Sequence, residues 1–130
     1  MIVVISGSRF SEDYYSLNYI LSQLPITHII IGDAKGIDRI TEIYAVSNDI
    51  PYTIFKADWE KYKGKAGPIR NKEMLSIMPK PDMLIAFPGP NSIGTWDAVR
   101  QAERLSIPSL FFNVNDCYRV VNGRYQLINN

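Results

Sequence analysis

The sequence predicts an α/β fold: one doubly wound domain with a mainly parallel sheet of about five strands, helices on both faces, and a C-terminal β-hairpin. Three observations lead there. Short apolar runs rich in β-branched residues alternate with longer segments of helical period, the pattern of strands joined by crossover helices. The runs are nearly continuous in apolar character, as suits strands buried on both faces. A chain of 130 residues with 46% hydrophobic residues suffices for one core and is too short for two ordinary domains.

The elements follow in order. "MIVVIS" reads as the first strand. After it, Leu17, Ile20, Leu21 and Leu24 fall at helical spacing, with Ser11 placed as an N-cap and Glu12 and Asp13 in the first turn. "THIIIG" is the second strand, and the segment after Gly36 carries Ile37, Ile40, Ile43 and Tyr44 at helical spacing. "PYTIF" is the third strand. Pro68, suited to a first helical position, opens the next helix, which offers Met74, Leu75 and Met78 to the core. "DMLIAF" is the fourth strand, followed by a helix with Ala98, Ala102 and Leu105 on one face, and "SLFFNV" is the fifth. Beyond residue 114 the alternation stops. "CYRVVNGRYQLI" places Asn122-Gly123 between two strand-like runs, and a type I′ turn needs positive φ at both central residues. Residues 1–114 therefore read as the domain proper and 115–130 as a hairpin extension of it, with no repeat, low-complexity segment or linker.

Composition excludes several classes. No stretch approaches the roughly 20 apolar residues that span a bilayer, and the N-terminal run lacks the basic lead and long apolar body of a secretory signal. A cytoplasmic protein without membrane contact is expected. The single cysteine, Cys117, cannot form an internal disulfide or a zinc site of cysteine pairs; it reads as a packing residue rather than a reactive thiol. The one histidine, His28, opens the second strand, at the edge away from any site at the strands' carboxyl ends, and reads as structural. With one histidine and one cysteine, a Ser-His-Asp or Cys-His mechanism is disfavoured. Neither a metal-ligand cluster nor a cofactor signature is visible. The net charge of +1 makes no global case for nucleic acid. One segment is basic: Lys56, Lys61, Lys63, Lys65, Arg70 and Lys72 stand against Asp58 and Glu60, as either a solvated loop or an anion site.

In a doubly wound sheet, ligands bind at the carboxyl ends of the strands, where the strand order reverses. The segments after the first four strands read "GSRFS", "GDAKGID", "KADWEKYKGKAGPIRN" and "PGPNSIGT". Glycine lets a backbone approach a ligand closely, and free N–H groups at a helix start attract phosphate without a lysine. One such loop would reflect turn geometry alone. Four on one edge point to an anionic, nucleotide-like ligand. Neither GxxxxGK[ST] nor GxGxxG is present, so a P-loop NTPase or a typical dinucleotide-binding domain is not indicated.

"SGSRF", "GDAKGID", "ADWEKYKGKAGPIRNKEML" and "AFPGPNSIGTWDAV" together resemble the YpsA-like branch of the SLOG superfamily, which also includes the cytokinin-activating phosphoribohydrolases and the DNA-processing protein DprA. The likeness covers residues 1–114. It implies a Rossmann-like fold that binds nucleotides or nucleotide-derived ligands, in several branches as sensors, and it points to a homodimer or higher homo-oligomer. Carried onto this chain, Gly7, Ser8 and Arg9 would contact phosphate or ribose. Gly32 and Gly36 would permit close approach, with the Asp38 carboxylate available to ribose hydroxyls or a turn amide. Arg70 and Asn71 match the arginine-bearing helix start, where a guanidinium could clamp phosphate bidentately, and Gly89, Gly94 and Thr95 match the fourth loop. Trp59 reads as a base-stacking partner or as a core residue.

The sequence departs from the hydrolases at one informative place. Their loop reads PGGxGTxxE, whereas here four residues separate Pro88-Gly89 from Gly94-Thr95, and Ala98 stands where they keep the glutamate. The acid sits at Asp97, about 100° away around a helix. It could reach ribose from the longer loop, or simply favour the helix dipole. Binding of a nucleotide-derived ligand, by a sensor or sequestering protein, is therefore the leading expectation. A nucleotide N-glycosidase using Arg70 and Asp97 as catalytic residues is the second, and single-stranded nucleic-acid binding the least favoured.

Overall fold

A computed structural model describes residues 1–11, 13–112, 117–121 and 124–127, the last two stretches by backbone alone. Its elements are β1 (Ile2–Gly7), α1 (Tyr14–Leu21), β2 (His28–Gly32), α2 (Ile37–Ser47), β3 (Tyr52–Phe55), α3 (Trp59–Tyr62), a 3₁₀ turn (Lys63–Lys65), α4 (Ala66–Leu75), β4 (Met83–Phe87), α5 (Ile93–Arg104), β5 (Ser109–Phe112), β6 (Cys117–Val121) and β7 (Arg124–Leu127). The sheet order is β3-β2-β1-β4-β5-β6-β7. From β3 to β5 every pairing is parallel, as a Rossmann-like domain requires, whereas β6 pairs antiparallel with β5, and β7 with β6. Asn122-Gly123, expected as a type I′ turn, lies outside the described residues, as do Glu12 and the side chain of Cys117.

The two-residue period of a strand sorts the core into two layers. Val3, Ile5, Ile29, Ile31, Ile85 and Phe87 face α1 and α2, where Leu17, Leu21, Ile37 and Tyr44 cover them. Val4, Ile30, Leu84 and Ala86 face α4 and α5, under Met74, Leu75, Ala98 and Ala102. Each fully buried large side chain contributes about 1.5–3 kcal/mol of transfer free energy, which is why adjacent residues of one strand are all apolar. β3 is the exception, because it forms an edge: Tyr52 and Thr53 are exposed.

Several expectations are corrected. The N-cap of α1 is Asp13, whose carboxylate accepts from the Ser16 amide, while Ser11 Oγ only accepts a long bond, 3.5 Å, from the Asp13 amide. α4 begins at Ala66 rather than Pro68, preceded by α3 and the 3₁₀ turn; Pro68 remains in the first turn, where a missing N–H costs nothing. α4 ends at Leu75, so the helical period stops before Met78, which is 87% exposed instead of in the core. Leu105 falls on the C-cap of α5 and is exposed for the same reason. Ile43 lies one residue, about 100°, from Tyr44 around α2 and faces solvent. Among the described residues no helix is long and apolar enough to cross a membrane.

Candidate functional site

β1 lies at the centre of the parallel sheet, with β2 on one side and β4 on the other, so the strand order reverses between β1 and β4. Loops leaving these two strands must diverge to opposite faces, and a crevice opens between them. It holds a cleft of about 460 Å³, with Ser8 and Arg9 on one wall, Gly94, Thr95 and Asp97 on the other, and Arg70, Asn71 and Trp59 beneath and beside them.

Close packing of backbones builds this cleft. Ser8 is buried; its amide donates to Phe87 O at 2.9 Å, its carbonyl accepts from the Ile37 amide at 3.0 Å, and its Oγ accepts from the Phe10 amide at 3.1 Å. Gly7 lies against Ile37, so the first loop seats directly on α2. Gly36 has φ +72° and passes so near the Ser8 carbonyl that a Cβ would overlap it. Gly89 meets Ser8 from the other side, where a Cβ would stand 2.8 Å from Ser8 Oγ. Gly32 leaves the space that the Arg70 guanidinium fills. Gly32, Gly36 and Gly89 thus allow close approach between segments of the chain, and none of them lines this cleft.

Gly94 is different. Apart from its chain neighbours and the backbone of its own helix, no described protein atom stands within 4 Å of where its Cβ would lie, and the residue faces the cleft in the first turn of α5. The N-cap of that helix, Ser92, makes no side-chain bond to the helix; its Oγ accepts instead from the Gly89 amide at 2.7 Å. The Ile93 amide donates to Asn91 O at 2.9 Å and the Trp96 amide to Ser92 O at 3.1 Å, which leaves the Gly94 and Thr95 amides between them without an acceptor among the described residues, so α5 points two free donors and the positive end of its dipole at the cleft.

The charged groups are tied together. Arg70 donates from Nη1 to Asp33 Oδ1 at 3.1 Å and from Nε to Asn71 Oδ1 at 3.2 Å, so part of its fork is engaged within the protein and only the rest is available to a ligand. Asn71 is buried and donates from Nδ2 to both Gly94 O and Asp97 Oδ2, each at 3.1 Å. Gln101 Nε2 donates to the same Asp97 oxygen at 2.8 Å and to Pro68 O at 3.0 Å. Two amides therefore fix the Asp97 carboxylate at the cleft. Asp38, also on the cleft, accepts from the Ala34 amide at 3.0 Å, the turn-amide use expected of it. Burial pushes its carboxyl up to about 6, partly countered by the Ala34 bond and the nearby Arg70.

The remaining expectations are placed as follows. Trp59 is 51% exposed beside the cleft, not in the core. Arg70 is the one member of the basic segment that lines the cleft; Lys56, Lys61, Lys63, Lys65 and Lys72 are exposed and do not. His28 is at the opposite end of its strand, with Nε2 2.8 Å from Thr53 Oγ1. Asp33 and Ser92 lie inside the loops "GDAKGID" and "PGPNSIGT" without a role that the sequence assigns, and Gln101 is four residues after Asp97, the spacing at which helical side chains meet.

A second, apolar pocket of about 260 Å³ lies across the Ser8–Gly89 contact. Ser8, Phe10 and Pro90 line both spaces. Ser11, Asp13, Ser16, Ile20, Ile37, Phe87, Pro88, Gly89 and Phe112 line the apolar one alone; Ser11, Ile37 and Pro88-Gly89 belong to loops whose sequence points to a ligand, and Asp13, Ser16, Ile20 and Phe112 carry no such mark.

Comparison with known proteins agrees with this architecture. The family model described as "YspA, cpYpsA-related SLOG family" matches residues 1–62, which include Gly7, Ser8, Arg9, Gly32, Gly36, Asp38 and Trp59 and stop short of Arg70. The gene 61 protein of Mycobacterium phage D29 is 32% identical over 120 residues, covering 85% of this chain and 94% of the phage protein. No solved structure matches the chain significantly.

Proposed function

Because the chain belongs to the YspA, cpYpsA-related SLOG family, we propose that it binds a nucleotide or nucleotide-derived ligand in the cleft between the β1 and β4 loops. The observation that carries this reading is the start of α5. Its open amide end and the unobstructed face of Gly94 meet at the reversal of strand order, the geometry that receives phosphate. Arg9 and the free part of the Arg70 fork supply positive charge, while Asp97 and Asp38 supply acceptors for hydroxyl groups. With two cations and two carboxylates, the cleft suits a sugar phosphate better than a bare polyanion. The ring of such a ligand has two candidate seats, the exposed face of Trp59 and the apolar pocket beyond Ser8.

This is a binding role, as in a sensor or a sequestering protein. Thermal unfolding in the presence of nucleoside mono- and diphosphates, cyclic nucleotides and ADP-ribose tests it. At least one should raise the melting temperature, and Arg70→Ala should abolish the rise; no shift with any compound would overturn the reading.

One observation favours a second reading, N-glycosidic hydrolysis. Asn71 and Gln101 hold Asp97 at the cleft in a fixed orientation, as a group that stabilises an oxocarbenium-like centre must be held. Release of free base from nucleoside monophosphates, lost in Asp97→Asn, would support it. No release at high protein concentration removes it.

A further inference from the structure

We infer that the apolar pocket beyond Ser8 seats the heterocyclic ring of the ligand, and that the Asp13 carboxylate selects a ring bearing an amino group. This inference rests on the nucleotide-binding reading and names the ring that goes with it. Size is the first argument. Whole-ligand sites run from about 300 Å³ upward, a range the cleft meets at about 460 Å³ and the pocket, at about 260 Å³, does not. The pocket holds a part of a molecule, and it shares Ser8, Phe10 and Pro90 with the cleft that would hold the rest.

Its walls suit a flat ring. Phe87 and Phe112 lie with centroids 5.6 Å apart and planes inclined by 30° on one side, and Ile20 and Ile37 contribute aliphatic surface. Trp59 offers one exposed face and no enclosure. Burial removes apolar ring surface from water, and the gain grows with area covered, so the enclosed seat is favoured over the open one.

Asp13 supplies the chemistry. Its Oδ1 accepts from the Ser16 amide at 3.1 Å and its Oδ2 from the Ser16 hydroxyl at 2.6 Å. Each carboxylate oxygen has two acceptor positions, so one remains on each. The Ser16 hydroxyl, and then the Ser16 amide, hold the carboxyl below its usual range, which keeps it ionised and without a proton to donate. An exocyclic amino group can meet it; an exocyclic carbonyl oxygen would face its negative charge.

Calorimetric titration of the protein with AMP, IMP and ribose 5-phosphate tests this. AMP is expected to bind about tenfold more tightly than IMP, the difference made by one hydrogen bond to a charged group. Asn caps helices as well as Asp does, so Asp13→Asn should fold normally and bring the two nucleotides within about threefold. Its affinity for ribose 5-phosphate should be unchanged. Ile20→Phe, which fills the pocket, should remove the gain of AMP over ribose 5-phosphate, and Trp59→Ala should leave it. Equal binding of AMP and IMP by the unaltered protein, or a gain lost in Trp59→Ala instead, would overturn the inference while leaving nucleotide binding intact. Failure of all three compounds to bind would overturn the inference, and if no nucleotide of the wider panel raised the melting temperature either, the nucleotide-binding reading would fall with it.

Discussion

Truncating Asn71 to alanine would test how the site is held together. The side chain is 1% exposed and makes three hydrogen bonds: it donates to Gly94 O and Asp97 Oδ2 and accepts from Arg70 Nε. Two of the partners are charged, and such bonds are worth more than neutral ones. Both keep a second partner, however, because Gln101 still donates to Asp97 and Asp33 still accepts from Arg70. Taking roughly 1 kcal/mol for each lost bond gives a destabilisation of about 3 kcal/mol. For a domain of this size that lowers the melting temperature by about 10 °C, and at a typical urea dependence it moves the unfolding midpoint by about 1.5 M. Gln101→Ala, which removes one bond to the same carboxylate and an exposed one to Pro68 O and leaves Asn71 in place, should cost about 1–2 kcal/mol. Asn71→Asp keeps the shape and the acceptor for Arg70 but sets a carboxylate against Asp97. Burial and the like charge raise the introduced carboxyl's folded pKa, so its penalty is largest above that pKa and fades below about 3.9, the ordinary aspartate value. Urea titrations at neutral and acid pH measure all three variants. An Asn71→Ala loss below about 1 kcal/mol, or one equal to that of Gln101→Ala, would refute the view that buried Asn71 is the stronger of the two ties between α4 and α5.

Three further outcomes are expected. Asp38 has a folded pKa raised to about 6, so between about pH 4 and 6 the folded protein holds a proton that the unfolded chain has released; its contribution therefore lowers stability as pH rises through that window, by about 2–3 kcal/mol in total. Asp38→Asn should remove that slope in urea titrations, and a slope unchanged by the substitution would show that other groups cause it. Gly36→Ala combines positive φ with overlap on the Ser8 carbonyl and should cost about 2–4 kcal/mol; an unaltered unfolding midpoint would contradict the close approach of the two loops. Lys63→Ala with Lys65→Ala should leave AMP affinity within about twofold at physiological salt, because neither lysine lines the cleft, whereas Arg9→Ala should weaken it about tenfold. Equal loss in both would place the anion site on the basic segment instead.

Much of the fold was legible because burial imposes a pattern. Val3, Val4 and Ile5 are all apolar since alternate residues of a central strand enter two different core layers, and that double requirement can be read without coordinates. The same holds for the site residues: Ser8 and Arg9 follow β1, and Arg70, Gly94 and Asp97 lie in the first two turns of the helices beyond their strands, and parallel topology brings those ends to one edge. Helix ends were less legible. Met78 and Leu105 continue an apolar period past the point where the chain leaves the helix, and periodicity carries no signal for that departure.

What the sequence determined by itself was the layered α/β architecture and the edge on which a site must lie, since both follow from local periodicity and chain direction. The tertiary structure alone decided how the groups there are used. Two of the five Arg70 N–H donors turn to Asp33 and Asn71, Gln101 joins Asn71 on Asp97, and Gly32, Gly36 and Gly89 let protein segments touch. The apolar pocket gathers residues from the loop after β1, from α1, α2, β4 and β5, separated by up to 104 positions from Ser8 to Phe112, and it exists only once the sheet has assembled. Its physical basis is the meeting of surfaces from distant segments, and no local pattern records that.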